Sequence, residues 1–216
     1  MSKTLFTQSK HKEYLLLVWV SIFTLVAYPF LINSAYWSLG YHALITILLL
    51  TWVYSSGKKG DWVKAGLFFG WLSLILNWMI FFGEDRFILL YLVTTLIFFI
   101  IITINVISTL LYQKKIGSEV IVWSIAAYLM MGIAGSFLFS IIETLQPDSF
   151  NTAVPMIDNI PSMLYYTFVT MLTLWYGDMV PVGWHAQMRS ILVAVCGQLY
   201  LVILIGLLIG KYVRGK

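Results

Sequence analysis

The residues of this chain whose types and spacing bear on chemistry form one short segment, Thr173-Leu174-Trp175-Tyr176-Gly177-Asp178, directly after an apolar run from Pro161 to Leu172. That run has 12 residues, whereas a helix needs roughly 20 to cross a bilayer. Its length suits a re-entrant helix, and Pro161 with an acid just before it, Asp158, is typical of a helix start. Backbone that leaves helical geometry at membrane depth is tolerated only where it lines a pore or is buried in protein. The segment is therefore predicted to line a pore or to lie at an interface.

Other kinds of chemistry have no support in the sequence. There is no paired His and Glu at metal-ligand spacing, no Ser or Cys beside a plausible base, and no phosphate-binding glycine loop. Cys196 is the only cysteine, which excludes an intrachain disulfide and any zinc or iron-sulfur site built from thiols. We therefore predict a protein that is not an enzyme and has no cofactor.

The composition is that of an integral membrane protein. Hydrophobic residues make up 61% of the chain and charged residues only 10%, which is too apolar for a soluble domain of 216 residues. The sequence predicts an all-α membrane protein with six transmembrane helices and one re-entrant helix and loop between the fifth and the sixth. The six predicted spans are 14–32, 36–54, 65–82, 87–112, 120–142 and 190–210.

The basic residues indicate how the spans are oriented. Eleven of the 13 Lys and Arg residues lie in the N-terminal tail, the loops after the second and fourth spans, and the C-terminus; Arg86 and Arg189 are the exceptions. By the positive-inside rule, both termini are predicted to lie in the cytoplasm, in a multi-pass protein of the plasma (inner) membrane. The net charge of +4 comes from juxtamembrane clusters, which contact anionic lipid headgroups, so we predict lipid partners and no nucleic acid.

A resemblance to a known family begins with the run from Phe168 to Pro181, which reads FVTMLTLWYGDMVP. It resembles the pore segment of the two-transmembrane, potassium-channel-like ion-channel family, FVTLTTVGYGDIVP, at nine of 14 positions. The run from Gly197 to Ile205, GQLYLVILI, is similar to the inner helix of that family, GQLYLAVLI. The resemblance covers residues 120–212, and Thr173 to Asp178 takes the place of the selectivity filter. We call these six residues the filter segment.

The resemblance implies a homotetramer that conducts ions passively, because four filter strands are needed to replace the water shell of potassium with backbone carbonyls. Carried over by position, the ion-binding residues are Thr173, through hydroxyl and carbonyl, and Leu174, Trp175, Tyr176 and Gly177, through carbonyls. Tyr176 would also pack behind the filter, Thr170 and Asp178 would support it, and Gly197 would be a gating hinge. The only metal implied is the permeant potassium or another monovalent cation.

Trp175 departs from the family pattern, because it stands where the family has the first filter glycine. That glycine adopts a backbone conformation that an L-residue reaches only with strain. Three outcomes are open: a potassium-selective pore that absorbs the strain, a cation channel with relaxed selectivity, and a non-conducting membrane protein on a channel scaffold. A transporter is a further alternative, but it predicts two interrupted helices where only one is visible.

The chain is predicted to divide into a four-helix transmembrane domain, residues 1–113, and a pore domain, residues 114–216. In voltage-gated channels the fourth helix carries Arg or Lys at every third position. Here residues 87–112 carry none, so classical voltage gating is not expected and the gate depends on the membrane part or on an unidentified partner.

Five polar residues in or near the spans are further candidates. Asn77 and Asn105 are predicted to form hydrogen bonds between helices, with a polar site as the alternative. His42 is either a pH sensor or a hydrogen-bonded interfacial imidazole. Glu143 either attracts cations or simply ends a helix. Gln198 either faces a cavity or lies at a close helix crossing beside Gly197.

Overall fold

The structure, a computed structural model, describes residues 18–23, 37–55, 61–112, 118–152 and 159–214. Residues 18–23 are helical. The longer elements are α1 (Trp37–Ser55), α2 (Asp61–Phe81), a 3-10 turn (Asp85–Phe87), α3 (Ile88–Tyr112), α4 (Ser118–Leu145), β1 (Phe150–Thr152), α5 (Asn159–Met171), β2 (Met179–Pro181) and α6 (Trp184–Arg214). The prediction of a helical membrane protein is confirmed.

Four of these helices are long and apolar enough to cross a membrane. Their apolar stretches are Lys64–Phe81, Asp85–Ser108, Val120–Leu145 and Trp184–Leu204, which correspond to the third to sixth predicted spans. α6 begins at Trp184, six residues before the predicted span, because its polar first turn is also helical. There the Gln187 N–H donates to the Gly183 carbonyl at 2.9 Å, and the Arg189 guanidinium donates to the His185 carbonyl at 3.1 Å.

The first two predicted spans are described less completely. Of the span predicted over 14–32, only residues 18–23 belong to the described part of the chain. The second corresponds to α1, whose apolar stretch His42–Thr51 is shorter than a full crossing. The count of six spans therefore stays a prediction.

The chain divides into two compact units, one up to Leu129 and one from Met130 onward. The domain boundary predicted at 113/114 falls within residues 113–117, outside the described residues. α4 contributes to both units, and the second unit contains all the residues of the filter segment.

In the first unit, α2 and α3 form a helical hairpin around an apolar core. A Cβ atom built on Gly66 of α2 would lie 3.5 Å from Ile101 Cγ2 of α3, an ordinary van der Waals contact. Phe98 and Phe99 of α3 and Leu48 and Leu49 of α1 are among the fully buried side chains. Helices that contact both neighbouring helices and lipid are expected to carry apolar residues on most of their surface.

A buried polar pair joins α1 to α2. The His42 Nδ1 atom lies 2.8 Å from Asn77 Oδ1, and the Asn77 amide nitrogen donates to the His42 carbonyl at 3.2 Å. Since the amide nitrogen faces a carbonyl, the amide oxygen accepts from the imidazole, so His42 carries its proton on Nδ1. The predicted interhelical role of Asn77 is thereby confirmed, and His42 is its partner. Asn105 also has a hydrogen-bonding or electrostatic interaction.

We expect Asn77→Leu to lower the free energy of unfolding by about 1–2 kcal/mol, because it leaves the buried imidazole N–H and the His42 carbonyl without this partner. The measurement is equilibrium unfolding in mixed micelles with a rising fraction of SDS, followed by circular dichroism. Thr51→Val is the matched control, since the Thr51 hydroxyl donates to the Ile47 carbonyl of its own helix at 2.5 Å. Equal losses in the two variants would contradict the role assigned to the His42–Asn77 pair.

Candidate functional site

The short helix α5 stops abruptly just before the filter segment. The Leu174 N–H donates to the Val169 carbonyl at 3.0 Å, and the Thr173 N–H donates to the Thr170 carbonyl at 3.2 Å. This pair of bonds is a Schellman motif, which requires a left-handed residue just after the helix. Thr173 takes that place with φ +57°. The helix thus ends by its own hydrogen bonds, and the chain leaves helical geometry at the first filter residue.

The limits of α5 are close to those predicted. The helix has 13 residues, Asn159–Met171, against the predicted run from Pro161 to Leu172. It begins two residues before Pro161 because proline is tolerated throughout a first turn, where the N–H groups have no partner in the helix. Asp158, the predicted acid at its start, lies outside the described residues. Thr170 is buried on α5, one turn after Tyr166.

Along the filter segment, the backbone angle φ alternates between positive and negative values. Thr173, Trp175 and Gly177 have φ values of +57°, +48° and +78°, whereas Leu174 and Tyr176 between them do not have positive φ. Trp175 therefore adopts the left-handed conformation that glycine reaches without strain and that costs an L-residue on the order of 1 kcal/mol. This is the strain that the sequence predicts for a residue at the first glycine position.

Within one chain the filter side chains are largely uncovered. Leu174, Trp175 and Tyr176 are 48%, 59% and 65% exposed. Irregular backbone that carries exposed apolar side chains is stable at membrane depth only when other protein covers it or when it lines a water-filled cavity. The packing of Tyr176 behind a filter is a contact that would have to form between chains, and it stays a prediction.

Asp178, at the end of the filter segment, is bound to α5. The Tyr165 hydroxyl donates to Asp178 Oδ2 at 2.5 Å. This hydrogen bond, with smaller contributions from burial and the carboxylate charge, raises the pKa of the Tyr165 hydroxyl to about 12, so the hydroxyl stays protonated and remains a donor. Asp178 thus has an identified partner on α5, while its role in supporting a filter stays a prediction. Sequence reasoning missed Tyr165, whose only signal is its place on α5, thirteen residues before the acid.

After Asp178 the chain pairs with the segment that follows α4. β1 and β2 form an antiparallel pair with Phe150 opposite Pro181 and Thr152 opposite Met179. The pairing continues beyond the strands, because the Ser149 carbonyl accepts from the Val182 N–H at 2.8 Å. Three-residue strands have too few residues to show an alternating pattern, so the sequence did not reveal this ribbon.

Glu143 organises the turn that leads into the ribbon. Its Oε1 accepts from the Asp148 N–H at 3.0 Å, and its Oε2 accepts from the Ser149 N–H at 3.1 Å. Asp148 has φ +64°, a strained conformation that these bonds hold in place. Of the two roles considered for Glu143, the structure thus favours a helix end, here with a carboxylate bound to backbone.

An aromatic cluster connects the ribbon to the helices. The rings of Phe139, Phe150 and Tyr166 contact one another edge to face, with centroids 5.0–5.7 Å apart. The Tyr166 and Ser190 hydroxyl oxygens are 2.6 Å apart. Because the Ser190 hydroxyl donates to the Ala186 carbonyl, the bond between the two hydroxyls is donated by Tyr166. The cluster therefore fixes α5 against α4, the ribbon and α6.

Glycines permit the close packing of α5. A Cβ atom built on Gly132 of α4 would overlap the Phe168 ring, and one built on Gly135 would lie 2.5 Å from Thr167 Cγ2. On α6, a Cβ atom on Gly197 would lie 3.2 Å from Met171 Cγ. The close helix crossing considered for Gly197 is therefore present, while its role as a hinge stays a prediction.

Gln198 contacts the end of α5. Its side-chain amide donates to the Met171 carbonyl at 3.0 Å. Among the described residues, no group of three or more His, Cys, Asp or Glu side chains lies together.

The comparison with family models gives one match. Residues 115–214 match the model of a family described as "Ion channel". No curated protein and no solved structure gives a significant match. The matched residues contain α4, the ribbon, α5, the filter segment and α6, which are the elements that build the site described above. Residues 115–214 are therefore similar to the ion-channel family, and the match supports the resemblance to its potassium-channel-like members.

Proposed function

We propose that this membrane protein is a passive cation channel whose pore is lined by four copies of the filter segment, with potassium as the leading permeant ion. The observation that carries the proposal is the alternating backbone of Thr173, Trp175 and Gly177. Residues whose φ alternates in sign turn successive peptide groups toward one side, so that successive carbonyl oxygens can face a common axis. Four such strands around an axis would present rings of carbonyl oxygens.

The assignment of ligands follows from this geometry. Thr173 would give the innermost site through its hydroxyl and carbonyl, and Leu174 to Gly177 would supply the next carbonyls. Thr170 and Asp178 would support the filter, the latter through its bond to Tyr165. α5 would aim its C-terminal end at the pore, where the negative end of the helix dipole favours a cation.

A homotetramer accounts for the exposed filter side chains. One chain supplies one strand, and the exposed Trp175 and Tyr176 side chains supply apolar surface for contacts with neighbouring copies. Membrane lipids would surround the assembly. The distribution of Lys and Arg supports cytoplasmic termini and a place in the plasma or inner membrane.

Trp175 decides between the two conducting alternatives. Strain on the order of 1 kcal/mol at this residue is repeated in each of four chains. A filter that keeps its geometry despite this strain would retain carbonyl rings of the size that potassium requires. A filter that deforms under the strain would admit smaller ions as well. A non-conducting pore remains the second candidate function, favoured by the same bulky residue.

We expect the wild-type protein in liposomes to pass potassium down a gradient, with the potassium-to-sodium flux ratio rising in Trp175→Gly. The rise should be at least tenfold, since tenfold corresponds to ~1.4 kcal/mol, the strain relieved in a single chain. Trp175→Ala is the matched control, since it removes the indole ring but keeps the Cβ atom and its conformational cost. A ratio that rises equally in both variants would assign the effect to ring size. Flux in Trp175→Gly with none in the wild type would contradict the proposal of a conducting channel.

The proposal also fixes the number of chains. We expect native mass spectrometry of the protein released from lipid nanodiscs to give four times the 24.7 kDa mass of one chain. The physical reason is that a carbonyl ring closes around potassium only with four strands. A stable dimer or trimer would count against the filter.

Gating by voltage through charged helix residues is not expected. α3 has no Arg or Lys from Ile88 to Tyr112, so little charge would move through the membrane field, which supplies ~2.3 kcal/mol per charge at 100 mV. Recordings in planar bilayers should show an open probability without steep voltage dependence. Tail currents that remain steeply voltage-dependent after blocking ions are removed would contradict this expectation.

A further inference from the structure

Each of the last carbonyls of α5 has a hydrogen-bond donor, and one of these donors comes from another helix. The carbonyls of Phe168, Val169 and Thr170 accept from backbone N–H groups of the turn that follows the helix. The Met171 carbonyl accepts instead from the side-chain amide of Gln198, at 3.0 Å. Met171 is the last residue of α5 and stands two positions before Thr173.

The neighbour of Gln198 brings the two helices close enough for this bond. A Cβ atom built on Gly197 would lie 3.2 Å from Met171 Cγ and 3.4 Å from Met171 Cα. The distance to Met171 Cγ is shorter than an ordinary van der Waals contact. Gly197 and Gln198 therefore both act on Met171. Gly197 permits the close approach because it has no side chain, and the Gln198 amide donates to the Met171 carbonyl.

The rest of α6 shows that an amide at this place is unusual. Between Ile191 and Gly210 the helix is apolar apart from Gln198 and the hydroxyl of Tyr200. A polar side chain within a transmembrane stretch is unfavourable unless it finds a partner or faces a water-filled space. The bond to Met171 supplies that partner, so the contact explains why a polar residue is accommodated here.

We propose that Gln198 is a positioning residue that holds the inner end of the filter segment from α6. The inference rests on the proposed function of that segment as an ion filter. By keeping the Met171 carbonyl bonded, Gln198 fixes the turn in which Thr173 and Leu174 donate to α5, and with it the first ligands of the pore. A displacement of α6 near Gly197 breaks this bond, so the position of the helix and the geometry of the innermost ion site are coupled.

The first test measures amide hydrogen exchange in the reconstituted full chain, over the peptide that contains Thr173 and Leu174. Gln198→Met keeps the length of the side chain and removes the donor. We expect the two amides to exchange about five- to tenfold faster in this variant, the factor that corresponds to loss of one hydrogen bond. Leu199→Met introduces the same side chain one position along and should exchange like the wild type. Unchanged exchange in Gln198→Met, or equal acceleration in both variants, would overturn the proposal.

The second test measures ion selectivity, which a merely structural bond between helices would not alter. The potassium-to-sodium flux ratio should fall several-fold in Gln198→Met and stay at the wild-type value in Leu199→Met. A wild-type ratio in Gln198→Met overturns the positioning role even if exchange is faster. Should Gln198→Met fail to assemble, Gln198→Leu replaces it in both measurements, since a leucine side chain has no hydrogen-bond donor and no charge.

The proposed channel function and the proposed role of Gln198 can be rejected independently of each other. A wild-type protein that passes no cations in liposomes contradicts the proposed channel function, and in that case the exchange measurement alone decides whether Gln198 fixes the turn after α5. Wild-type flux together with unchanged exchange in Gln198→Met rejects the role of Gln198 and leaves the channel function intact.

Discussion

The need to satisfy backbone hydrogen bonds away from water governs the structure of the site. From Thr173 to Asp178 the chain has no i→i−4 helical bonds, and at membrane depth hydrocarbon would offer no replacement partners. The neighbouring elements supply them at both ends of this stretch. The Schellman bonds and Gln198 bind the carbonyls of α5, and Tyr165 and the β-ribbon hold the segment that begins at Asp178. The residues left between these two anchors are those whose carbonyls we propose as ion ligands.

Strained residues persist where their surroundings determine the backbone from both sides. Trp175 illustrates this rule, because its left-handed φ is held between Thr173, fixed by the end of α5, and Gly177, which precedes the bound Asp178. The local preference of tryptophan would favour another conformation, and the anchors override it. Asp148 is held in the same way by Glu143. The strain at Trp175 is thus maintained by the contacts that anchor the filter segment at both ends.

Sequence reasoning reached the parts of the molecule that depend on composition and on local motifs. Long apolar runs predicted the helices, and the short run before Thr173 predicted α5, because both signals lie in consecutive residues. The partners of the site were not predictable in this way. Tyr165 and Asp178, Glu143 and the turn at Ser149, and Gln198 and Met171 meet only through folding, and their side chains are ordinary for helix ends and spans. The pairing of His42 with Asn77 was missed for the same reason, although a partner for each was expected.

On the proposed function, a bound cation would contribute to the stability of the filter. A ligand that binds one conformation raises the population of that conformation in proportion to its concentration over its dissociation constant. The left-handed Trp175 costs on the order of 1 kcal/mol in each chain, and the carbonyl rings that it completes are the proposed sites for potassium. Ion binding would then offset the strain of all four tryptophans at once, since one ion contacts four strands. The selectivity of such a pore would then depend on which cation, potassium or a smaller one, has the binding free energy that offsets more of this strain.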